Sequence, residues 1–385
     1  MAVVLLVSGG LLMRSFVKLS QVNPGYQSAN VLTFQIGMPE GRPVLAFADA
    51  LVERLRSVSG VREAGYTRQL PMTRARSLVP LRTTPELPTQ PAPPPAPPGT
   101  VNPPEWPDAR HVSAGYLDVM RMRVIEGRGF EAADTAGQQV MLINRTLARS
   151  GLLGPNPVGR YVYALGIAPW EVVGVVDDVR QSGLDHEPGP QVFINLQQLP
   201  GAARLTGSLY VTVRTDGNPS RVAPIVRGLV QQLEPAASVS GIATMDQLVA
   251  NSVARPRLYA VLVGIFAALA VVLSCVGIYG VVGYAVAQRT REIGIRMALG
   301  ARRSHVVRLM LGDSAMSIGV GVGLGLVSAV GVTRYLARLL FGLTPLDGAT
   351  FVAVPLAVVA VALLASYVPV RRAARIDPLL AIRHE

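Results

Sequence analysis

Cysteine is all but missing from this chain of 385 residues: Cys275 stands alone, so no internal disulfide can staple any part of it. Lysine is as scarce. Lys18 is the only one and Leu19 follows it, whereas a P-loop needs a Lys followed by Ser or Thr to hold the phosphates of ATP. The chain is therefore no P-loop ATPase, and any ATP chemistry has to come from another polypeptide. Charged residues make up 16%, against about 25% in an ordinary soluble domain. Aromatic residues are also few, at 5%, and none interleave with a basic patch of the kind on which single strands stack. The net charge of +12 is thus no argument for a nucleic-acid partner, since many of the arginines flank apolar blocks. His111, His186, His305 and His384 are scattered, with no pair at metal-ligand spacing. No Gly-x-Ser-x-Gly elbow is present and no pair of acids has independent support for catalysis. The expectation is a non-catalytic chain with no resident metal or cofactor.

What is abundant is apolar sequence, half of all residues, and it comes in blocks. A bilayer core of about 30 Å needs about 20 apolar residues at a rise of about 1.5 Å each. Leu258–Gln288 is free of charge over 31 residues, Ser314–Thr333 over 20 and Gly348–Val370 over 23. These read as full membrane spans. Met1–Met13 is apolar over only 13 residues before Arg14, too short to cross, and no basic stretch precedes it as in a signal peptide. It reads as the outer part of a helix whose beginning is missing. Arginines set the orientation. Arg289, Arg291, Arg296, Arg302, Arg303 and Arg308 separate the first two full spans, and Arg371, Arg372, Arg375 and Arg383 follow the last. The loop between the last two spans has only Arg334 and Arg338. The 289–311 segment and the C-terminus are then cytoplasmic, and the large segment before Leu258 is outside. Gly319, Gly321, Gly323 and Gly325 form two overlapping GxxxG frames, which permit close helix approach in lipid. Packing within one subunit and contact between subunits are both open readings. Asp313, at the cytoplasmic entry of that span, suits an interfacial role at a helix start.

The segment from 20 to 255 mixes periods. Val31–Ile36, Val61–Tyr66, Glu171–Val176 and Leu209–Val213 are strand-like. Val44–Val58, with Phe47, Leu51 and Leu55 on one face, and Pro219–Leu233, with Val222, Val226 and Leu229, are helical by spacing. Met245–Val253 reads as a short helix before the membrane. The pattern predicts an α+β domain. Pro80–Pro107 holds twelve prolines and reads as a surface insertion of polyproline character, with a partner-binding loop as the alternative. Asp177, Asp178 and Asp185 follow a strand and read as a solvated turn rather than a cation site.

The most informative stretch follows the first full span: Gln288-Arg-Thr-Arg-Glu-Ile-Gly-Ile-Arg-Met-Ala-Leu-Gly-Ala301. Glu292 and Arg296 are four apart in the favourable order for a helical ion pair, and apolar and charged residues mix around the wheel as on a helix that touches protein. A basic juxtamembrane helix on lipid headgroups is the plainer alternative. Arg291–Ala301, REIGIRMALGA, resembles the signature segment of MacB/FtsX-type ABC transporter permeases. Pro369-Val-Arg-Arg-Ala-Ala-Arg-Ile-Asp-Pro378 resembles that family's closing motif, and the layout of one span, a large outer domain and three spans is similar too. Val22-Asn-Pro-Gly25, Val172-Val-Gly-Val-Val176 and Ala254–Leu258 resemble the acidobacterial duplicated permease subgroup, as its C-terminal unit. Pro80–Pro107 and the incomplete first span depart from the pattern.

The resemblance implies a membrane protein of the inner membrane. Its expected parts are a partial first transmembrane helix at 1–19, a periplasmic MacB-like α+β domain at 20–255, and an FtsX-like permease domain at 256–385. It implies coupling to a separate cytoplasmic ATPase through Arg291, Glu292, Ile293, Gly294, Arg296, Met297, Ala298, Leu299, Gly300 and Ala301. It also implies a second permease unit, as a dimer or duplicated half, with a periplasmic adaptor and membrane lipid as further partners. Export of macrolide- or peptide-like substrates is the implied activity, and an FtsX-like transmitter acting on a periplasmic partner is the alternative.

Overall fold

A computed structural model describes residues 1–73, 75–86, 101–135, 137–166, 168–289, 292, 295, 303–344 and 346–373. Two compact units emerge, one of Met1–Gln21 with Ala254–Glu385 and one of Val22–Val253. The first element, α1 (Ala2–Ser20), continues past Arg14 to Ser20. It can do so because Arg14 and Lys18 both find oxygen partners within their own unit, so the two charges need not end the helix.

The Val22–Val253 unit is built on a mixed sheet. Its strands are β1 (Val31–Gly37), β2 (Val61–Thr67), β3 (Asp108–Val112), β4 (Val124–Gly127), β5 (Val140–Asn144), β6 (Tyr161–Val162), β7 (Trp170–Val176), β8 (Gln191–Asn195), β9 (Ser208–Thr215) and β10 (Ser238–Thr244). The order is β10-β1-β9-β2-β3-β8-β5-β7-β4, with β6 beside β7. Among the described residues only β3/β8 and β5/β7 run parallel. The first four strands of this order, with α2 (Leu45–Arg56) between β1 and β2 and α5 (Ala223–Leu233) between β9 and β10, form a split βαβ arrangement. Helical spacing explains the helices: Leu51, Leu55, Val226 and Val230 are buried in one core with Phe34, Ile36, Val211 and Val213. The remaining strands, with α3 (Tyr116–Met120) and α4 (Arg145–Arg149), are inserted between β2 and β9. That second lobe is paired to the first at Thr67↔Val112 of β2 and β3. Its core packs Trp170, Val172, Ile143 and Ile194. The unit ends in α6 (Met245–Ser252), started by a reciprocal capping box of Thr244 and Gln247.

The proline-rich stretch is tied down at both ends. Leu81 N donates to Glu105 O at 2.8 Å and Val79 N to Pro107 O at 3.2 Å, and Val79, Leu81 and Asn102 are buried. Residues 87–100 lie outside the described residues.

The other unit joins α1 to α7 (Ala254–Gln288), α8 (Arg303–Tyr335) and α9 (Gly348–Ala373). All four helices are long and apolar enough to cross a membrane. At 35 residues, α7 is about 52 Å long, well beyond a hydrocarbon core of about 30 Å. Val3, Val7, Leu11 and Ala329 form the buried centre, flanked by Val322, Leu326, Phe351, Val354 and Val358. At Gly9, α1 faces α7: a Cβ built there would be in ordinary van der Waals contact, 3.5 Å from Val263 Cγ1. Pro355 and Pro369 sit inside α9, as neighbouring helices in a membrane permit.

Candidate functional site

The Arg291–Ala301 stretch, expected from the sequence to couple to an ATPase, lies between the end of α7 and the start of α8. Glu292 and Ile295 are both helical and exposed; Ile295 leaves 47% of its surface open. Arg291, Ile293, Gly294, Arg296, Met297, Ala298, Leu299, Gly300 and Ala301 lie outside the described residues. An exposed isoleucine one turn from an exposed acid has the mixed chemistry of a protein contact.

The four glycines of α8 divide. Gly325 is buried, and a Cβ there would stand 2.8 Å from Val3 Cβ, so it lets α1 and α8 touch. Gly319, Gly321 and Gly323 are exposed; among the described residues no heavy atom lies within 4 Å of a Cβ built at any of them. Around Gly321 an apolar crevice of about 640 Å³ opens between α1, α7, α8 and α9. Its described polar lining is Ser274, Ser317, Ser366 and Arg289. That set holds no acid and no imidazole, so it offers no general base. Along α7, Leu262, Phe266, Leu269, Leu273 and Val276 are exposed, a lipid-facing surface in a chain of this hydropathy.

In the sheet-containing unit the polar groups that stand out serve the fold. Asp178 Oδ1 accepts from Asn144 Nδ2 at 2.6 Å and from Thr146 N at 2.9 Å, and Asp177 pairs with Arg145 at 3.1 Å. The aspartates thus secure the start of α4 instead of an open turn. Asn144, fully buried, caps α4 through Leu147 N at 3.0 Å and also accepts from Gln191 N at 2.9 Å. Its sequence signal was an Asn at the end of a β-branched run before a helix. Arg214 donates to the carbonyls of Val119, Ala29 and Gln27 at 2.6–2.9 Å. Burial lowers its pKa, with Arg121 and Arg62 adding to the effect. Asp134 is held below the usual carboxylate range by its hydrogen bonds to Arg128. His111 is pushed down to about 4, first by burial and then by Arg68 and Arg110. Among the described residues no group of three His, Cys, Asp or Glu could hold a metal ion.

Comparison with known proteins follows the same division. Residues 1–229, more than half the chain, match the MacB-like periplasmic core domain, and residues 264–378 match the FtsX-like permease C-terminal model. The pyoverdine export ATP-binding/permease protein PvdT of Pseudomonas syringae pv. syringae is 28% identical over 273 residues, covering 68% of this chain and 40% of that protein. The macrolide export ATP-binding/permease protein MacB of Azoarcus sp. is 29% identical over 290 residues, covering 72% and 42%. The chain therefore spans well under half the length of these relatives. Among solved structures, the periplasmic region of MacB from Actinobacillus actinomycetemcomitans is similar over 60% of this chain and 95% of its own, with a TM-score of 0.38 and 16% identity. The extracellular domain of the transporter YknZ from Gram-positive bacteria is similar over 54% and 100%, with a TM-score of 0.36 and 19% identity. With both matched regions in their expected order around four apolar helices, the chain belongs to the MacB/FtsX-like family of ABC transporter permeases, as a multi-pass inner-membrane protein with a large periplasmic domain.

Proposed function

We propose that this chain is a non-catalytic permease subunit that converts ATP hydrolysis by a cytoplasmic ABC ATPase into motion of its periplasmic domain, for export of amphipathic, macrolide- or peptide-like cargo. The observation that carries the reading is the pairing of a MacB-like core domain with an FtsX-like permease segment in a chain whose single lysine is followed by leucine. A motor of this type needs ATP, and this sequence has no P-loop to bind it. The Arg291–Ala301 stretch supplies the grip: Glu292, Arg296 and the apolar residues between them present charge and hydrophobic surface together to the ATPase. Gly319 and Gly323, one turn apart and open on α8, are the contact for a second permease unit, where small residues let helices meet closely. A periplasmic adaptor completes the export path. In the second reading, an FtsX-like transmitter, the same motion acts on a periplasmic partner and no cargo moves.

The test is co-purification. The full chain, expressed with ABC ATPase candidates from neighbouring reading frames, should retain one of them. Arg296→Glu and Gly300→Pro should each reduce that retention at least tenfold while leaving the chain in the membrane. An ATPase held equally well by both variants would refute the coupling assignment. Cargo export by the reconstituted pair decides for transport, and its absence beside control of a periplasmic hydrolase decides for the transmitter.

A further inference from the structure

Arg14, Ser15 and Lys18 are polar side chains that interrupt the apolar surface of α1 near the end from which the chain leaves for the periplasmic domain. All three reach the same short stretch, the connection from α8 into α9. Arg14 pairs with Asp347 and donates to Thr350 Oγ1 at 3.2 Å. Ser15 Oγ accepts from Phe341 N at 2.6 Å and donates to Phe341 O at 3.3 Å. Lys18 Nζ donates to Gly342 O at 2.8 Å. Asp347 is at the same time the cap of α9, accepting from Thr350 N at 3.0 Å and from Thr350 Oγ1 at 2.7 Å. A single carboxylate thus fixes the head of one membrane helix and the charge on another. Gly10 makes room for this, since a Cβ there would come within 3.3 Å of Thr350 Cγ2.

We infer that Arg14, Ser15 and Lys18, with Asp347, Thr350 and the Phe341–Gly342 backbone, form a clasp that sets the depth and rotation of α1 in the membrane. A cation at the rim of an apolar helix has two ways to be satisfied: to move outward into water, or to find an anion where it stands. Asp347, the only acid between α8 and α9, provides the second. Without it, Arg14 draws α1 outward or turns it. In sequence, α1 is followed by the periplasmic domain, whose first strand begins at Val31. The arginine, serine and lysine are positioning residues, and the inference rests on the proposed reading that ATP hydrolysis moves the periplasmic domain. Their effect on helix depth is measurable without any ATPase, so the clasp and the export reading stand or fall separately.

The experiment uses the full chain in intact spheroplasts, in a Cys275→Ser background. Met13→Cys, at an exposed position of α1, supplies the reporter thiol, and Tyr161→Cys on the periplasmic domain supplies the reference. The labelling rate by a membrane-impermeant maleimide is taken as the ratio of reporter to reference. Asp347→Asn and Arg14→Asp should each raise that ratio at least fivefold. Arg14→Asp combined with Asp347→Arg should return it to within twofold of the parent. Ser15→Ala, which leaves every charge in place, gives a milder break and should raise it about twofold. A residue that merely stabilised the bundle would lower the unfolding temperature without moving the ratio or being restored by the charge swap. Single charge variants within twofold of the parent, or a swapped pair as far from it as its components, would overturn the clasp.

Discussion

Gly325 is the position where the packing of the bundle makes its sharpest demand. A methyl group added there would place Cβ 2.8 Å from Val3 Cβ and 3.2 Å from both Val3 γ-carbons. Val3 Cβ is fixed to its backbone, so no change of rotamer relieves the nearest contact; α1 and α8 have to separate by several tenths of an ångström. Overpacking of this kind costs about 1–3 kcal/mol. Between helices in lipid, close van der Waals contact is a main attraction, so the separation is not offset elsewhere. Gly325→Ala should then lower the folded-to-unfolded ratio about 5- to 150-fold. Gly323→Ala, only two positions away but facing open space among the described residues, should be neutral or slightly stabilising, because alanine is the better helix former by about 1 kcal/mol. The assay is unfolding in mixed detergent micelles followed by exposure of Cys275, which lines a small apolar cavity with Ala2 and Leu6. In a Val3→Gly background the cost of Gly325→Ala should vanish, giving a coupling energy of about 1–3 kcal/mol. Equal stabilities for the two alanine variants, or no coupling to Val3, would refute the reasoning.

The periplasmic domain yields further expectations, readable by intrinsic fluorescence in the variants that keep both of its tryptophans, Trp106 and Trp170. His111 has its folded pKa depressed to about 4 from an unfolded value of about 6.5. The unfolded state therefore binds more protons between those values, and stability, complete above about pH 6.5, should fall as pH drops towards 4, by at most about 3 kcal/mol. His111→Gln should flatten that slope in a denaturant series run across the window, and an unchanged slope would reassign it. Trp170→Ala removes a fully buried indole from the second lobe and should cost about 3–5 kcal/mol, seen as a lower urea midpoint by circular dichroism. Asn144→Ala deletes the α4 cap and leaves Gln191 N without its acceptor, for a loss of about 2–4 kcal/mol. A change below about 0.5 kcal/mol, the range of an ordinary surface substitution, would show the network to be dispensable.

Three of the four membrane helices were legible because the bilayer requires a long uncharged run, and the arginines beside each run report its side; α1 was read as a partial span because Arg14 interrupts its apolar run, yet it continues to Ser20 and is long and apolar enough to cross. The strands Val31–Gly37, Trp170–Val176 and Ser208–Thr215 were legible within a residue or two through β-branched content, and Val61–Thr67 from its place just after a helix that ends before Gly60. Others carried no such mark. β3 reads Asp-Ala-Arg-His-Val, with three ionisable side chains, yet all five residues are buried; Arg110 is paired there with Asp108, two residues away on the same face of the strand, but so charged a segment gives no apolar signal that it is a buried strand. β10 reads Ser-Val-Ser-Gly-Ile-Ala-Thr, and its register comes from pairing with β1 alone. In the bundle, spacing marked Gly325 and its three neighbours alike, and only the position of Val3 on another helix separates them. The tie from Arg14 to Asp347 spans 333 positions of sequence, a distance that helical patterning does not bridge.

The measurement that bears most directly on the account is the sidedness of the Arg291–Ala301 stretch. Ile295→Cys and Tyr161→Cys, both at exposed positions, are introduced into the Cys275→Ser chain. Each is treated with an impermeant maleimide on intact spheroplasts and again after the membrane is opened. The Tyr161→Cys thiol should react from outside, and the Ile295→Cys thiol only once the membrane is breached. Labelling of the Ile295→Cys chain on intact spheroplasts would contradict it, because a coupling element outside the membrane is beyond the reach of any cytoplasmic ATPase.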